Sequence, residues 1–326
     1  MLYHMTIPFH LLILGAPSES FLEQIAEVRQ SAEIQIAQTR EQAARLIPEA
    51  EVILALDHAG SWLQELWDSA SKLKWIQAGS TGVEGIVFPR MKNHRVVLTN
   101  SRGAYSSPLA EFVMFCVLYF AKAFPIMERN RLERRWADYP LREVRGQTIG
   151  LVGFGETGQA VSRLAHALGM RVLATKRNPY TQTPTGVDQL MPSERWHELL
   201  RNSDYVVNAL PLTPETWGRF GEDEFRAMKT TSSFINVGRG KTVQESQLVK
   251  ALKEGWIAAA GLDVYETEPL PSDSELYSLP NVVLSPHCAD KVASSLDKVA
   301  RIFLENVRRF TKGEPLQSIV NKELGY

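Results

Sequence analysis

IGLVGFGETGQAVSRLAHALGMRVLATKRN, residues 149–178, is the stretch that decides the fold. An apolar strand runs into Gly153-x-Gly155-x-x-Gly158, an amphipathic segment of helical period follows, and a second apolar strand ends in Lys176-Arg177. The first glycine permits a sharp strand-to-helix turn, the second lets backbone approach a pyrophosphate, and the third lets helix and strand pack closely. With Glu156 and Thr157 inside the turn, the spacing predicts a βαβ unit that holds a dinucleotide at the helix N-terminus. An acid about 20 residues on would hold the ribose 2′-hydroxyl of NAD, and none is present. Lys176 and Arg177 stand at that strand end instead, which favours NADP(H). A solvated basic strand end beside an NAD(H) site remains the alternative.

Outward from this unit, strands and helices alternate in two series. Residues 10–15, 33–38, 51–57, 73–79 and 96–100 read as short apolar strands, with helical periodicity at 20–32, 40–50 and 61–72. The second series starts at Thr148 and continues through 171–176, 204–210, 234–238, 259–264 and 281–286. Such alternation implies an α/β fold of two Rossmann-like or flavodoxin-like domains, each a parallel sheet flanked by helices, with an active-site cleft between them. Ala104–Phe124, apolar nearly all round, reads as one helix buried at a domain or subunit junction. The expected division is 104–287 for the dinucleotide-binding domain, inserted in a substrate domain of 1–103 and 288–326, with the last helix at 293–310 packing back on the first domain.

At 326 residues and 44% apolar content the chain can form two cores. Its net charge of −1 gives no overall attraction to nucleic acid or anionic membrane. Cys116 and Cys288 are the only cysteines, so neither a disulfide scaffold nor a structural metal is expected, and Cys288 reads as a packing residue. The apolar run near the N-terminus lacks preceding basic residues and reads as a first strand rather than a signal peptide. The expected setting is cytoplasmic. Residues 128–146, ERNRLERRWADYPLREVRG, interleave glutamates with arginines and read as a solvated helix with local ion pairs. His58, His94, His166 and His197 read as structural or solvated.

Three further segments end apolar strands in polar residues: FINVGRG with Arg239, AAGLDVYETEP with Asp263 and Glu268, and NVVLSPH with His287. In an open α/β sheet, ligands bind beyond the carboxyl ends of the strands, so these side chains are expected to converge. Glu266 competes with Glu268 for the same role. Together with TNSRGAYSSPLAE at 99–111, the segments resemble the D-isomer-specific 2-hydroxyacid dehydrogenase family, of the glyoxylate/hydroxypyruvate reductase kind, along essentially the whole chain. The resemblance implies that Arg239 anchors substrate, that Glu268 and His287 form the acid/base pair, and that Asp263 contacts the nicotinamide carboxamide. It also implies substrate contacts from Ser80, Thr81 and Gly82, cofactor contacts from Leu210, Pro211, Thr216, Val237 and Gly238, and a homodimer through the cofactor domains, with residues 128–146 embracing the partner.

The chemistry fits those residue types. Reduction of a 2-oxo acid builds negative charge on the carbonyl oxygen, and a histidine is suited to donate a proton there. A carboxylate on the far ring nitrogen fixes the tautomer. A guanidinium grips a carboxylate at two points, where lysine offers one charge. The expected function is thus NADPH-preferring reduction of a small 2-oxo acid to the D-2-hydroxy acid. The alternatives are a nucleotide-sensing corepressor-like binding protein, or phosphite or phosphoglycerate oxidation on the same fold. Gly238, Gln244 and Asp290 depart from the residues common in the family at those places.

Overall fold

The computed structural model describes residues 8–56, 60–178 and 182–326; His58 lies outside them. The chain divides into two compact units, Met1–Ala104 with Val292–Tyr326, and Tyr105–Lys291. The chain thus passes between units after Ala104 and again after Lys291.

In the first unit, strands β1 (Phe9–Leu14), β2 (Ala32–Ala37), β3 (Val52–Ala55), β4 (Trp75–Ala78) and β5 (Val97–Thr99) form a parallel sheet in the order β2-β1-β3-β4-β5. Every residue of β3 and β4 is buried, as expected of central strands covered on both faces. The helix Arg40–Leu46 starts with a capping box between Thr39 and Gln42, which satisfies backbone donors at that end. The helix Ala293–Lys312 belongs to this unit. Phe303 stacks on Trp75 at 5.7 Å between ring centroids, and Asp297 accepts a 2.7 Å hydrogen bond from Gln24.

The second unit is a seven-stranded parallel sheet built from β6 (Thr148–Val152), β7 (Arg171–Lys176), β8 (Gln189–Pro192), β9 (Tyr205–Asn208), β10 (Ser233–Asn236), β11 (Ala259–Leu262) and β12 (Val282–Leu284). Its order, β12-β11-β10-β9-β6-β7-β8, reverses direction between β6 and β9, the switch point at which ligands bind in such sheets. One core gathers side chains of the Ser106–Ala121 and Glu156–Ala167 helices against the sheet. The other gathers those of Trp196–Asn202, Glu222–Ala227 and Glu245–Lys253. At Gly261 a Cβ would stand 2.6 Å from Cys116 Sγ, so the close seat of the Ser106–Ala121 helix on β11 depends on that glycine.

Three local expectations are corrected. The apolar stretch 104–124 is not one helix: it ends at Ala121, and Ala123, at φ 47°, starts a second helix, Phe124–Leu132. Among the described residues no single helix is long and apolar enough to cross a membrane; those two, bent by 64°, pass only as a pair. Residues 128–146 are helical only to Leu132 and irregular thereafter, although the expected ion pairs Arg131–Glu128, Arg135–Glu133 and Arg145–Glu143 are present. The aromatic and β-branched content that marks a strand is absent from QLMP, so β8, at the sheet edge, was not anticipated.

Candidate active site

Residues Thr175, Val152, Asn208, Asn236, Leu262 and Leu284 lie level with one another across six adjacent strands. The named residues of this unit follow that line by a few positions: Lys176 as the last residue of β7, the glycine turn after β6, Leu210 and Pro211 after β9, Gly238 and Arg239 after β10, Asp263 after β11, and His287 after β12. With strands spaced by about 4.8 Å, the tips of β10 and β12 are roughly 10 Å apart.

The glycine turn has the form a dinucleotide needs. Gly153 adopts φ 99°, a conformation costly for other residues, and a Cβ at Gly158 would lie 2.5 Å from the Gly153 carbonyl oxygen. Nothing lies within 4 Å of a Cβ built on Gly155, which leaves room for phosphate at the start of the Glu156–Ala167 helix. Lys176 Nζ donates to the Phe154 carbonyl at 3.2 Å, so this cation braces the turn. Hydrogen bonds from Thr213 and its own backbone hold the Glu215 carboxyl low, and the charge of Arg177 adds a smaller pull in the same direction. The Thr216 hydroxyl is used locally, donating to Pro211 O at 2.7 Å and accepting from Thr213 N at 2.8 Å.

His287 Nδ1 and Glu268 Oε2 are 2.7 Å apart, with the ring about half exposed at 45%. The other oxygen, Oε1, accepts the Tyr265 N–H at 2.9 Å, so the carboxylate is gripped from two sides. Glu266 points elsewhere: its Oε2 accepts from Glu245 N at 3.1 Å. His287 itself has φ 50°, an uncommon region for a side-chain-bearing residue that costs on the order of 1–3 kcal/mol and is held only by its surroundings.

Asp263 supplies that hold. The residue is 1% exposed, and Oδ1 accepts from Ser285 Oγ at 2.6 Å, Cys288 N at 3.0 Å and Ala289 N at 3.0 Å. Tyr265 adds a bond from its hydroxyl to Ser285 O at 2.8 Å, and burial raises that hydroxyl's pKa, keeping it a donor. Cys288 is exposed, which corrects the packing role expected from sequence. It follows His287 on the loop that Asp263 gathers, and the loop turns it outward. Asp290, half-buried, has its carboxyl pushed above the ordinary range by burial, with the His287 charge acting against the shift.

Arg239 lies on a turn fixed by buried amides that sequence reading missed. Asn208 Nδ2 donates to Asn236 Oδ1 at 3.0 Å and to Thr242 Oγ1 at 2.7 Å. Asn208 Oδ1 accepts Leu210 N at 3.2 Å, and Asn236 Oδ1 accepts Gly238 N at 3.1 Å. Thr242 Oγ1 donates to the Arg239 carbonyl at 2.6 Å. The available signal was an asparagine closing each apolar strand, YVVN and SFIN. Gly238 and Gln244 gain a reason here. A Cβ at 238 would stand 2.7 Å from Leu210 O, and Gln244 Nε2 donates to Gly218 O at 2.9 Å, which a carboxylate cannot do. Ser80, Thr81 and Gly82 belong to the first unit, where Ser80 Oγ donates to Gly82 O at 2.6 Å and Asn100 Nδ2 to Thr81 O at 2.7 Å.

Residues 114–289 match the model of the D-isomer specific 2-hydroxyacid dehydrogenase NAD-binding domain. The chain is 37% identical over 272 residues to a glyoxylate reductase of Thermococcus gammatolerans, covering 80% of each. It is 29% identical, at a TM-score of 0.84, to a D-isomer specific 2-hydroxyacid dehydrogenase of Xanthobacter autotrophicus solved with NADPH, covering 98% of this chain and all of that one. It is 25% identical, at a TM-score of 0.86, to an NADPH-dependent glyoxylate/hydroxypyruvate reductase of Sinorhizobium meliloti solved with NADP and sulfate, over 98% and 100% of the two chains. With the parallel sheet, the glycine turn and the strand-end residues, these likenesses place the chain in the D-isomer-specific 2-hydroxyacid dehydrogenase family of NAD(P)-dependent oxidoreductases.

Proposed function

We propose that this chain reduces a small 2-oxo acid of the glyoxylate or hydroxypyruvate kind to its D-2-hydroxy acid with NADPH. The observation that carries the reading is the 2.7 Å His287–Glu268 pair beyond β12, two strands from the Arg239 turn beyond β10. The nicotinamide cofactor supplies the hydride to the carbonyl carbon. Arg239 binds the substrate carboxylate. His287, held through Nδ1 by Glu268, donates a proton from Nε2 to the substrate oxygen. Asp263 keeps the histidine loop in place and contacts the nicotinamide carboxamide. The glycine turn with Glu156 and Thr157, and Leu210, Pro211, Thr216, Val237 and Gly238, hold the cofactor. Turnover of a panel of 2-oxo acids with NADPH tests this reading; tight NADPH binding without turnover of any of them refutes it.

The preference for NADP(H) is supported by Lys176 and Arg177 at the end of β7, where no acid stands to hold an NAD ribose. Exchanging Lys176→Asp with Arg177→Ala is expected to raise the KM for NADPH at least tenfold relative to NADH. That ratio corresponds to about 1.4 kcal/mol, just under the roughly 1.5–3 kcal/mol of one hydrogen bond to a charged group, so tenfold is the least expected. An unchanged ratio refutes the preference. A cytoplasmic homodimer is part of the same proposal. The homodimer is supported by exposed apolar side chains on the helices Ser106–Ala121 and Phe124–Leu132 and the segment after them, among them Phe115, Leu132 and Trp136. Sedimentation of the wild type and of Leu132→Glu tests it, and a monomeric wild type refutes it.

A further inference from the structure

Glu245 and Glu266, which the mechanism above does not use, sit on the two turns that carry Arg239 and Glu268. Glu245 opens the helix Glu245–Lys253, three residues past the Gly240–Thr242 turn. Glu266 lies in the bend between Tyr265, whose N–H holds Glu268, and Glu268 itself. Each carboxylate accepts the backbone N–H of the other residue: Glu245 N to Glu266 Oε2 at 3.1 Å, and Glu266 N to Glu245 Oε2 at 3.2 Å. The two turns also touch directly, because a Cβ on Gly240 would collide with the Tyr265 backbone. The void beside them is only about 10 Å³, the lower limit for a single water. A shift of one turn is therefore passed to the other.

A reciprocal pair of like-charged side chains is an expensive way to join two segments. Burial raises the Glu245 carboxyl and the Glu266 charge pushes it further, while the Glu266 N–H opposes the shift. Simple ionic attraction is thus absent, and only the two hydrogen bonds recommend the arrangement. Resting on the reductase reading above, we propose that Glu245 and Glu266 are positioning residues: they clasp the Arg239 turn to the Glu268 turn, so that substrate anchor and histidine partner keep a fixed separation. Neither touches substrate or cofactor. Besides Glu268, the charged groups around His287 are Asp263 beyond β11 and Asp290 and Lys291 on its own loop, with Arg239 two strands away beyond β10.

The clasp is tested with Glu245→Ala, Glu266→Ala and their double variant, against Glu245→Gln and Glu266→Gln, which keep an acceptor oxygen and lose the charge. A positional error of about 1 Å can cost 100-fold in rate, so a part of that, about tenfold in kcat, is expected of each alanine variant. The double variant is expected to lose no more than either single, because both remove one device. Both glutamine variants are expected to stay within about threefold of wild type, with NADPH affinity unchanged throughout. The ¹⁵N shifts of the His287 ring, assigned with a His287→Gln control, read its bond to Glu268 without any turnover. They are expected to move in the alanine variants and return in the glutamine ones. The clasp is overturned if the glutamine variants lose as much as the alanine ones, if the single losses add, or if the alanine variants leave both kcat and the ring shifts unchanged. A wild type that binds NADPH but turns over no 2-oxo acid refutes the reductase reading alone, and the ring shifts then still decide the clasp.

Discussion

Replacing Asp263 by alanine removes one buried oxygen that three donors share. A hydrogen bond to a charged group contributes about 1.5–3 kcal/mol, and an unsatisfied buried donor costs about 1–3 kcal/mol. The three losses are not equal. Ser285 is buried at 9% exposure and keeps little access to water, whereas Cys288 is exposed and Ala289 half-buried, so their amides rehydrate. Counting about 2 kcal/mol for the hydroxyl and about 0.5–1 for each amide, less about 1 regained as His287 leaves its left-handed conformation, gives a net of roughly 2–3 kcal/mol. Spent on the arrangement of the histidine loop, this lowers the competent population and kcat by about 30- to 150-fold. Asp263→Asn keeps an acceptor and is expected to lose about tenfold, since a neutral bond has roughly half the strength of a charged one. The assay is steady-state reduction of the best 2-oxo acid at saturating NADPH, with urea unfolding alongside. An alanine variant with kcat within threefold of wild type refutes the reasoning. So does a variant whose whole loss lies in the KM for NADPH, which would make Asp263 a cofactor contact without the loop-holding role.

Changing His287 to asparagine is expected to lower kcat by about 100- to 10,000-fold, the usual contribution of a positioned acid; fluorescence titration should find NADPH affinity unchanged, and a smaller loss removes His287 as the donor. Glu245→Gln carries a pH signature. Because the folded carboxyl is raised from 4.5 by burial, the wild type has its full contribution from this group below the unfolded value and loses it as pH rises through the folded one. The glutamine variant should therefore match wild type near pH 4 in denaturation and become the more stable of the two by pH 7; an advantage confined to low pH contradicts the shift. The thiols should separate cleanly. Cys116 is pushed up to about 12, by burial first and then by the Asp263 charge, whereas Cys288 is exposed. A disulfide exchange reagent at pH 8 should titrate one thiol in the native protein and two in urea, with Cys288→Ser abolishing the native reaction; two native thiols would contradict the burial of Cys116.

What could be read from the chain alone was set by local rules. The glycine spacing at 153, 155 and 158 records backbone conformation and closeness of approach, and both are properties of a few consecutive residues. Alternating apolar runs declared parallel sheets, because buried strands must be apolar on both faces. A polar residue just past an apolar run marked Arg239, Asp263 and His287 as strand-end groups. Long-range geometry decided the rest. Sequence favoured Glu268 but left Glu266, two residues away, as its competitor; the packing of the Tyr265 bend on the Gly240 turn sends Glu268 to His287 and Glu266 to Glu245. Asn208, Asn236 and Thr242 form one network from three separate segments, which no local pattern announces. The break at Ala123 and the outward turn of Cys288 likewise follow from what the rest of the unit leaves room for. Periodicity reports which face of an element is buried. It cannot report which residue, far along the chain, comes to lie against it, because that is fixed by the order in which strands join the sheet.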